Sequence, residues 1–160
     1  MRPEKLLVIL SGLPMSLRNE VIRKAIHLAT LVIPAASMVL ARKYIIAWTA
    51  FLLAVALLIE VGRRLSSPFQ SMFLQLTEPL LREHERRGLT GATFFLISAL
   101  ISVAVFQLWI AQVALLFVII SDGLSALVGK CWGRHASVKG KTGEGNAVFI
   151  ISAAAIVILH

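Results

Sequence analysis

Long apolar runs separated by short charged clusters set the pattern of the chain. Residues 25–41 carry no formal charge apart from His27, and residues 44–59 carry none. Residues 88–121 form an uncharged run of 34 positions, and residues 145–160 one of 16. A bilayer core of about 30 Å is crossed by about 17–25 apolar residues rising 1.5 Å each. As a single helix the 34-residue run would be roughly 50 Å long. It reads instead as two helices joined by a tight turn near Gln107-Leu108-Trp109. The pattern predicts five helices, over residues 25–41, 44–60, 91–106, 109–128 and 146–160. Several are short for a span, so tilt or snorkelling ends are expected. The alternation that marks half-buried strands is absent.

Two segments fall outside these runs. In residues 66–87, Ser67-Pro68 has the form of a helix start, and Phe69, Met72, Phe73, Leu76 and Leu80 then recur at helical spacing. Pro79 should kink or restart the helix, and Gly88 follows the mixed-charge run Arg82-Glu83-His84-Glu85-Arg86-Arg87. This predicts an amphipathic helix lying on the membrane interface. At the N-terminus, Leu6–Leu10 is interrupted by Ser11-Gly12-Leu13-Pro14. Arg2 and Lys5 before an apolar stretch allow a signal peptide, but no small-residue cleavage site follows. Residues 1–24 are read as a cytoplasmic or surface-lying segment.

Composition strengthens the membrane reading. Hydrophobic residues make up 58% of the 160 and charged residues 15%, and the mean hydropathy is +0.86. Soluble domains sit near about 45–50% apolar and about 25% charged, so this chain lacks the polar surface to cover a soluble core. The net charge of +8 is confined to short clusters, unlike the polar surface of a nucleic-acid binder, and no nucleic acid is expected. Of the 16 Lys and Arg, only Arg42 and Lys43 follow the first run; the other 14 lie on segments that alternate to the opposite side. The positive-inside rule then puts the N-terminus, residues 60–90 and residues 129–145 in the cytoplasm. Tyr44, Trp48 and Trp109 fall near the outer interface and Trp132 near the inner one. The expectation is an all-α, polytopic, multi-pass protein of the cytoplasmic (inner) membrane: a single domain over residues 1–160 with five transmembrane helices and one interfacial helix. The lone Cys131 excludes an intrachain disulfide and a multi-cysteine zinc site.

Candidate chemistry gathers on the cytoplasmic side. Glu20, Arg23, Lys24 and His27 lie at i, i+3, i+4 and i+7, one helical stripe that is either an interfacial anchor or part of a site. Glu60, Arg63 and Arg64 repeat the pattern, with anchoring the stronger reading. Asp122 stands eight positions before Lys130, with a nearly apolar stretch between. An intramembrane carboxylate costs about 2.5–3.5 kcal/mol on insertion scales, so Asp122 requires a cation, a metal or a hydrogen-bonding partner. Ser125 and Gly129 share its face.

The following loop alternates glycines with cations, through Gly129, Lys130, Gly133, Arg134 and His135, then Lys139, Gly140, Lys141, Thr142, Gly143, Glu144, Gly145 and Asn146. Such a loop can turn backbone N–H groups and basic side chains toward polyphosphate, or can simply face anionic lipid. It lacks the P-loop spacing. Asp122 and Glu144 together are candidates to hold Mg²⁺ bridging nucleotide phosphates. Thr90 opens the third run, either as a helix cap or as a helix N-terminus offered to an anion. Cys131 and His135 at i, i+4 are read as a chance pair, and His84 and His160 as ordinary solvated or terminal residues.

The combination of NEVIRKAIHL, EVGRR, RRGLTGAT, SDGLSALVGKCWGR and GKTGEGNA resembles the membrane polyprenol and lipid-alcohol kinases. These include dolichol kinase, phytol kinase and the fungal CTP-dependent diacylglycerol kinase, and are distantly similar to phosphatidate cytidylyltransferase. The resemblance runs from Glu20 to Ala147 in order. It implies an integral membrane enzyme that phosphorylates a lipid hydroxyl with CTP or another nucleoside triphosphate. It puts Asp122, Lys130, Gly133, Arg134, Lys141, Thr142, Glu144 and Gly145 in the nucleotide-binding segment. Arg23, Lys24 and His27 match the family's Arg-Lys-x-x-His element. For the proton of the lipid hydroxyl, Asp122 and His27 are both candidate bases in our reading of the site. Asn146 stands where many members have serine, and members usually continue with further spans, so the chain is expected to be incomplete relative to the family. The expected partners are a lipid alcohol, the nucleotide and membrane lipids, with homo-oligomerisation left open. Two alternatives stand beside the kinase: a CDP-lipid synthase resembling phosphatidate cytidylyltransferase, and a non-enzymatic transporter or assembly subunit.

Overall fold

The computed structural model describes residues 15–77, 81, 85–86, 88–135 and 141–159, with the backbone alone for 15–18, 20 and 21. The described residues are helical throughout, apart from their turns and loops. In order they form α1 (Met15–Ala29), α2 (Val32–Ala36), α3 (Arg42–Leu65), α4 (Ser67–Thr77) and α5 (Gly91–Val105). Then come α6 (Leu108–Leu116), a π-helical turn (Phe117–Ser121), α7 (Asp122–Trp132) and α8 (Gly143–Leu159). The readings on Leu6–Leu10, Pro79, Leu80, His84, Lys139, Gly140 and His160 lie outside the described residues.

By length and composition, two helices can cross a membrane: Arg42–Leu65 and the continuous Leu108–Trp132. Gly91–Val105 and Gly143–Leu159 are shorter apolar helices. The turn expected near Gln107 falls at Phe106-Gln107, both extended, with Gln107 as the N-cap of α6.

The expected single helix over 25–41 is corrected. α1 begins well before it and ends at Ala29, a turn covers Thr30-Leu31, and α2 ends at Ala36. Pro34 is the cause at one remove: it has no N–H for the Thr30 carbonyl, which instead accepts from Ile33 N at 3.0 Å. The Thr30 hydroxyl turns back onto the His27 carbonyl and competes with the helical ladder. Two helices also outrun their expected ends. The one predicted over 44–60 continues to Leu65, and the one predicted over 109–128 continues to Trp132.

α3 and α5 pack antiparallel, pinned at both ends. At one end Arg42 Nε donates to the Val103 carbonyl at 2.8 Å, placing a cation at the C-terminus of α5. At the other end Glu60 of α3 meets Thr90 and Thr93 at the start of α5. The apolar core joins α3 and α5 to α2, α6 and the π-helical turn through Ile33, Ile45, Ala99, Val103, Ala111, Leu115 and Ile119. Within the fold Gln112 Nε2 donates to Ser37 Oγ at 2.8 Å, a buried polar link between α6 and the turn after α2. α4 packs back on the end of α3. Phe69 lies against Gly62, where a Cβ would stand 3.3 Å from the ring, and the Arg63 guanidinium sits 5.3 Å from the Phe73 ring centre. Met72 and Leu76 of α4 face outward.

Candidate functional site

α7 and α8 form a close hairpin because glycine faces glycine. A Cβ on Gly145 would stand 2.8 Å from the Ser125 carbonyl oxygen and 3.4 Å from Gly129 Cα. A Cβ on Gly129 would stand 2.7 Å from Thr142 Oγ1. Larger residues at either position would force the helices apart. The Thr142 hydroxyl accepts from Gly145 N at 3.3 Å, and Gly143 N donates to the His135 carbonyl at 3.0 Å, closing the loop onto the start of α8. Gly133, extended at φ −65° and ψ 116°, ends α7.

The hairpin carries the cations singled out in the sequence. Lys130 lies in the last turn of α7, and Gly133, Arg134 and Lys141 are exposed beside it. Glu144 lies in the first turn of α8, ahead of the apolar run, and its Oε1 is 2.7 Å from His135 Nδ1. The hydrogen bond from His135 and those from backbone N–H groups hold the Glu144 carboxyl well below its ordinary value, at about 2. Glu144 is therefore ionised at neutral pH.

Asp122 is the first residue of α7, and its Oδ2 accepts from Lys24 Nζ of α1 at 3.0 Å. The lysine side chain is 11% exposed and the aspartate side chain 55%. A buried ammonium without an anion would be costly, so this pair docks α1 on α7. One turn along α1, His27 Nε2 donates to the Val118 carbonyl at 3.2 Å, and its ring meets Phe95 edge-on at 5.2 Å. A carbonyl oxygen only accepts, so this contact assigns a proton to Nε2. Arg23 of the same element is half-buried on α1.

Asp122 and Glu144 thus have separate partners. Asp122 lies seven residues from Gly129, about 10 Å of helix rise, whereas Glu144 adjoins Gly145 at the Gly129 level. Among the described residues no three His, Cys, Asp or Glu side chains gather as a metal site.

Thr90 belongs to a different cluster. It is the N-cap of α5 by backbone conformation, but its side chain makes no capping bond, which corrects the reading of Thr90 as the cap. The caps are carboxylates from elsewhere. Glu60 Oε1 accepts from Thr90 N at 2.8 Å, and Glu85 Oε1 from Gly91 N at 3.0 Å. These anions already occupy the helix N-terminus that the sequence offered to a ligand. Arg63 completes the cluster: its Nε donates to Glu60 Oε2 at 2.6 Å and its other nitrogens to the carbonyls of Glu85, Arg86 and Gly88.

Sequence reasoning missed the π-helical turn. Phe117–Ser121 is a plain apolar string with no glycine or proline. The turn is the segment whose Val118 carbonyl receives His27, and such turns recur at functional sites. Its last residue, Ser121, is fully buried with no hydrogen-bond partner for its hydroxyl. The neighbouring Ser125 hydroxyl donates to the Asp122 carbonyl at 3.1 Å.

Set against models of known protein families, curated proteins and solved structures, the chain matches none of them.

Proposed function

We propose that the chain is a membrane lipid-alcohol kinase that transfers the γ-phosphoryl group of CTP, or of another nucleoside triphosphate, to a lipid hydroxyl. In this reading it crosses the cytoplasmic membrane five times, with α4 on the cytoplasmic interface. Outward-facing Leu58, Val61, Val118, Ile150 and Ile151 meet lipid.

The observation that carries the reading is the α7–loop–α8 hairpin. Every residue of the nucleotide-binding resemblance lies on it, and Lys24 of α1 reaches its first carboxylate. Lys130, Arg134 and Lys141 neutralise phosphate charge as the transferring group loosens in the transition state. The close packing at Gly133 and Gly145 and the Thr142 hydroxyl fix the loop that presents these cations. His27 Nδ1 is one candidate for the proton of the lipid hydroxyl; Asp122 is the other. Mg²⁺ is held by one or two carboxylates plus phosphate oxygens; half-exposed Asp122 could be one such ligand, but Glu144, in the first turn of α8 about 10 Å along the hairpin and bonded to His135, does not fit the same ion. When bound, the ion would neutralise charge on the phosphates; of the two carboxylates expected to hold it, Asp122 is the one that could.

Incubating the purified chain with CTP labelled at either the α or the γ position, and with a panel of lipid alcohols, tests the assignment. The kinase moves the γ label onto lipid. Transfer of the α label instead would make the chain a CDP-lipid synthase. One observation favours a second reading, an ion or solute pathway. The break at Thr30-Leu31 follows His27 by three residues, and His27 is bonded to the π-helical turn, an irregular backbone pair of the kind that lines transport sites. In that case neither label reaches lipid.

A further inference from the structure

We propose that His135 is a positioning residue for the nucleotide: by clasping Glu144 it ties the two ends of the α7–α8 loop together and sets Arg134 and Lys141 where the phosphates bind. The inference rests on the kinase reading for its ligand and adds the clasp to it.

Three bonds carry it, all between His135 and the first turn of α8. His135 Nδ1 donates to Glu144 Oε1 at 2.7 Å, since an ionised carboxylate only accepts. The His135 backbone N–H donates to Glu144 Oε2 at 3.4 Å, and the His135 carbonyl accepts from Gly143 N at 3.0 Å. Both oxygens of the Glu144 carboxylate are thus held by one residue, which fixes its side chain toward the loop. The cations flank the clasp. Arg134 immediately precedes His135, Lys141 stands two positions before Gly143, and both are exposed. With the loop ends tied, these two side chains start from one mouth; untied, each must be ordered by the nucleotide itself, which weakens binding. The His135 side chain is 86% exposed and that of Glu144 29%. A bond so open to water contributes little to the stability of the fold, so its effect falls on the loop.

The test uses the full chain in detergent micelles, with CTP labelled at the α position and Mg²⁺ in equilibrium dialysis. His135→Leu is expected to weaken CTP binding about tenfold, the size that follows when the ligand must order one or two long side chains. His135→Asn places its amide nitrogen where Nδ1 stands and keeps the affinity within about twofold. His135→Gln, whose amide nitrogen reaches the Nε2 position instead, behaves as His135→Leu. With Glu144→Ala in place, His135→Leu changes the affinity by no more than about twofold, because the two residues act as one unit. Helical circular dichroism is the same in every chain. Equal CTP affinity in His135→Leu and the unaltered chain overturns the proposal, as does an absence of CTP binding in all of them. A loss in His135→Asn overturns it too, as does rescue by His135→Gln, which would put Nε2 on the nucleotide. Transfer of the γ label to lipid alcohols is measured in parallel, where KM for CTP should rise in His135→Leu while kcat holds. Transfer with an affinity indifferent to His135 overturns the clasp and leaves the kinase standing; the expected binding pattern without transfer from any chain does the reverse.

Discussion

Replacing Asp122 with asparagine is expected to lower phosphoryl transfer by roughly a thousandfold, the upper end of the loss on removing one charge-stabilising group from a preorganised site. The substitution keeps the size and shape of the side chain. It removes the negative charge that Lys24 now holds and that the ion would need. Insertion should be unaffected, because an aspartate at depth disfavours insertion by about 2.5–3.5 kcal/mol and asparagine relieves part of that. The variant should therefore resist extraction of the membranes with alkaline carbonate as the unaltered chain does, while γ-label transfer to lipid disappears. Turnover within a few-fold of the unaltered chain would remove Asp122 from the reaction and take the metal assignment with it.

The second large effect is on stability. Arg63→Ala should cost about 3–5 kcal/mol, the usual penalty for breaking one side of a buried ion pair. Arg63 and Glu60 side chains are 3% and 4% exposed and 2.5 Å apart. Without Arg63, Glu60 keeps a buried charge served, among the described residues, by Thr90 and Thr93, and the carbonyls of Glu85, Arg86 and Gly88 lose a donor. Arg64, one position on, is exposed, and Arg64→Ala should change stability by no more than about 0.5 kcal/mol. Unfolding followed by circular dichroism in micelles separates the two. Equal losses for both variants would mean that the cluster does not hold α3, α4 and α5 together. Combining Glu60→Gln with Arg63→Ala should recover part of the loss, because no unpaired charge is then left buried.

Charge-free runs located most of the helices because an apolar helix needs no other signal. The turn at Phe106-Gln107 was legible for a reason of length, since 34 residues overfill one crossing. Helix ends were less legible. α3 runs past Glu60 because Glu60 and Arg63 neutralise each other one turn apart, which a count of charges reads as a boundary. The break after Ala29 escaped because Pro34 acts on a carbonyl four residues upstream.

At the site, the requirement for a partner on Asp122 was readable from its depth in an apolar stretch. The identity of that partner was not, because Lys24 lies 98 residues away. The stripe Arg23, Lys24 and His27 named the right helix face without naming what it faces. Glu85 was read as one more charge in a mixed run, yet its carboxylate meets Gly91 N. The π-helical turn has no compositional mark, so neither the His27–Val118 contact nor the buried Ser121 hydroxyl was foreseeable.

The account depends on the glycine- and cation-rich hairpin lying on the cytosolic side, within reach of nucleotide. Cys131, exposed in the last turn of α7 and the chain's only cysteine, reports on this directly. A membrane-impermeant maleimide should label it in inside-out vesicles and not in right-side-out ones, and Mg²⁺ with CTP should slow the labelling. In a chain carrying Cys131→Ser and Gln107→Cys, the sidedness should reverse. Labelling of Cys131 from outside, or of both positions from the same side, would contradict the account.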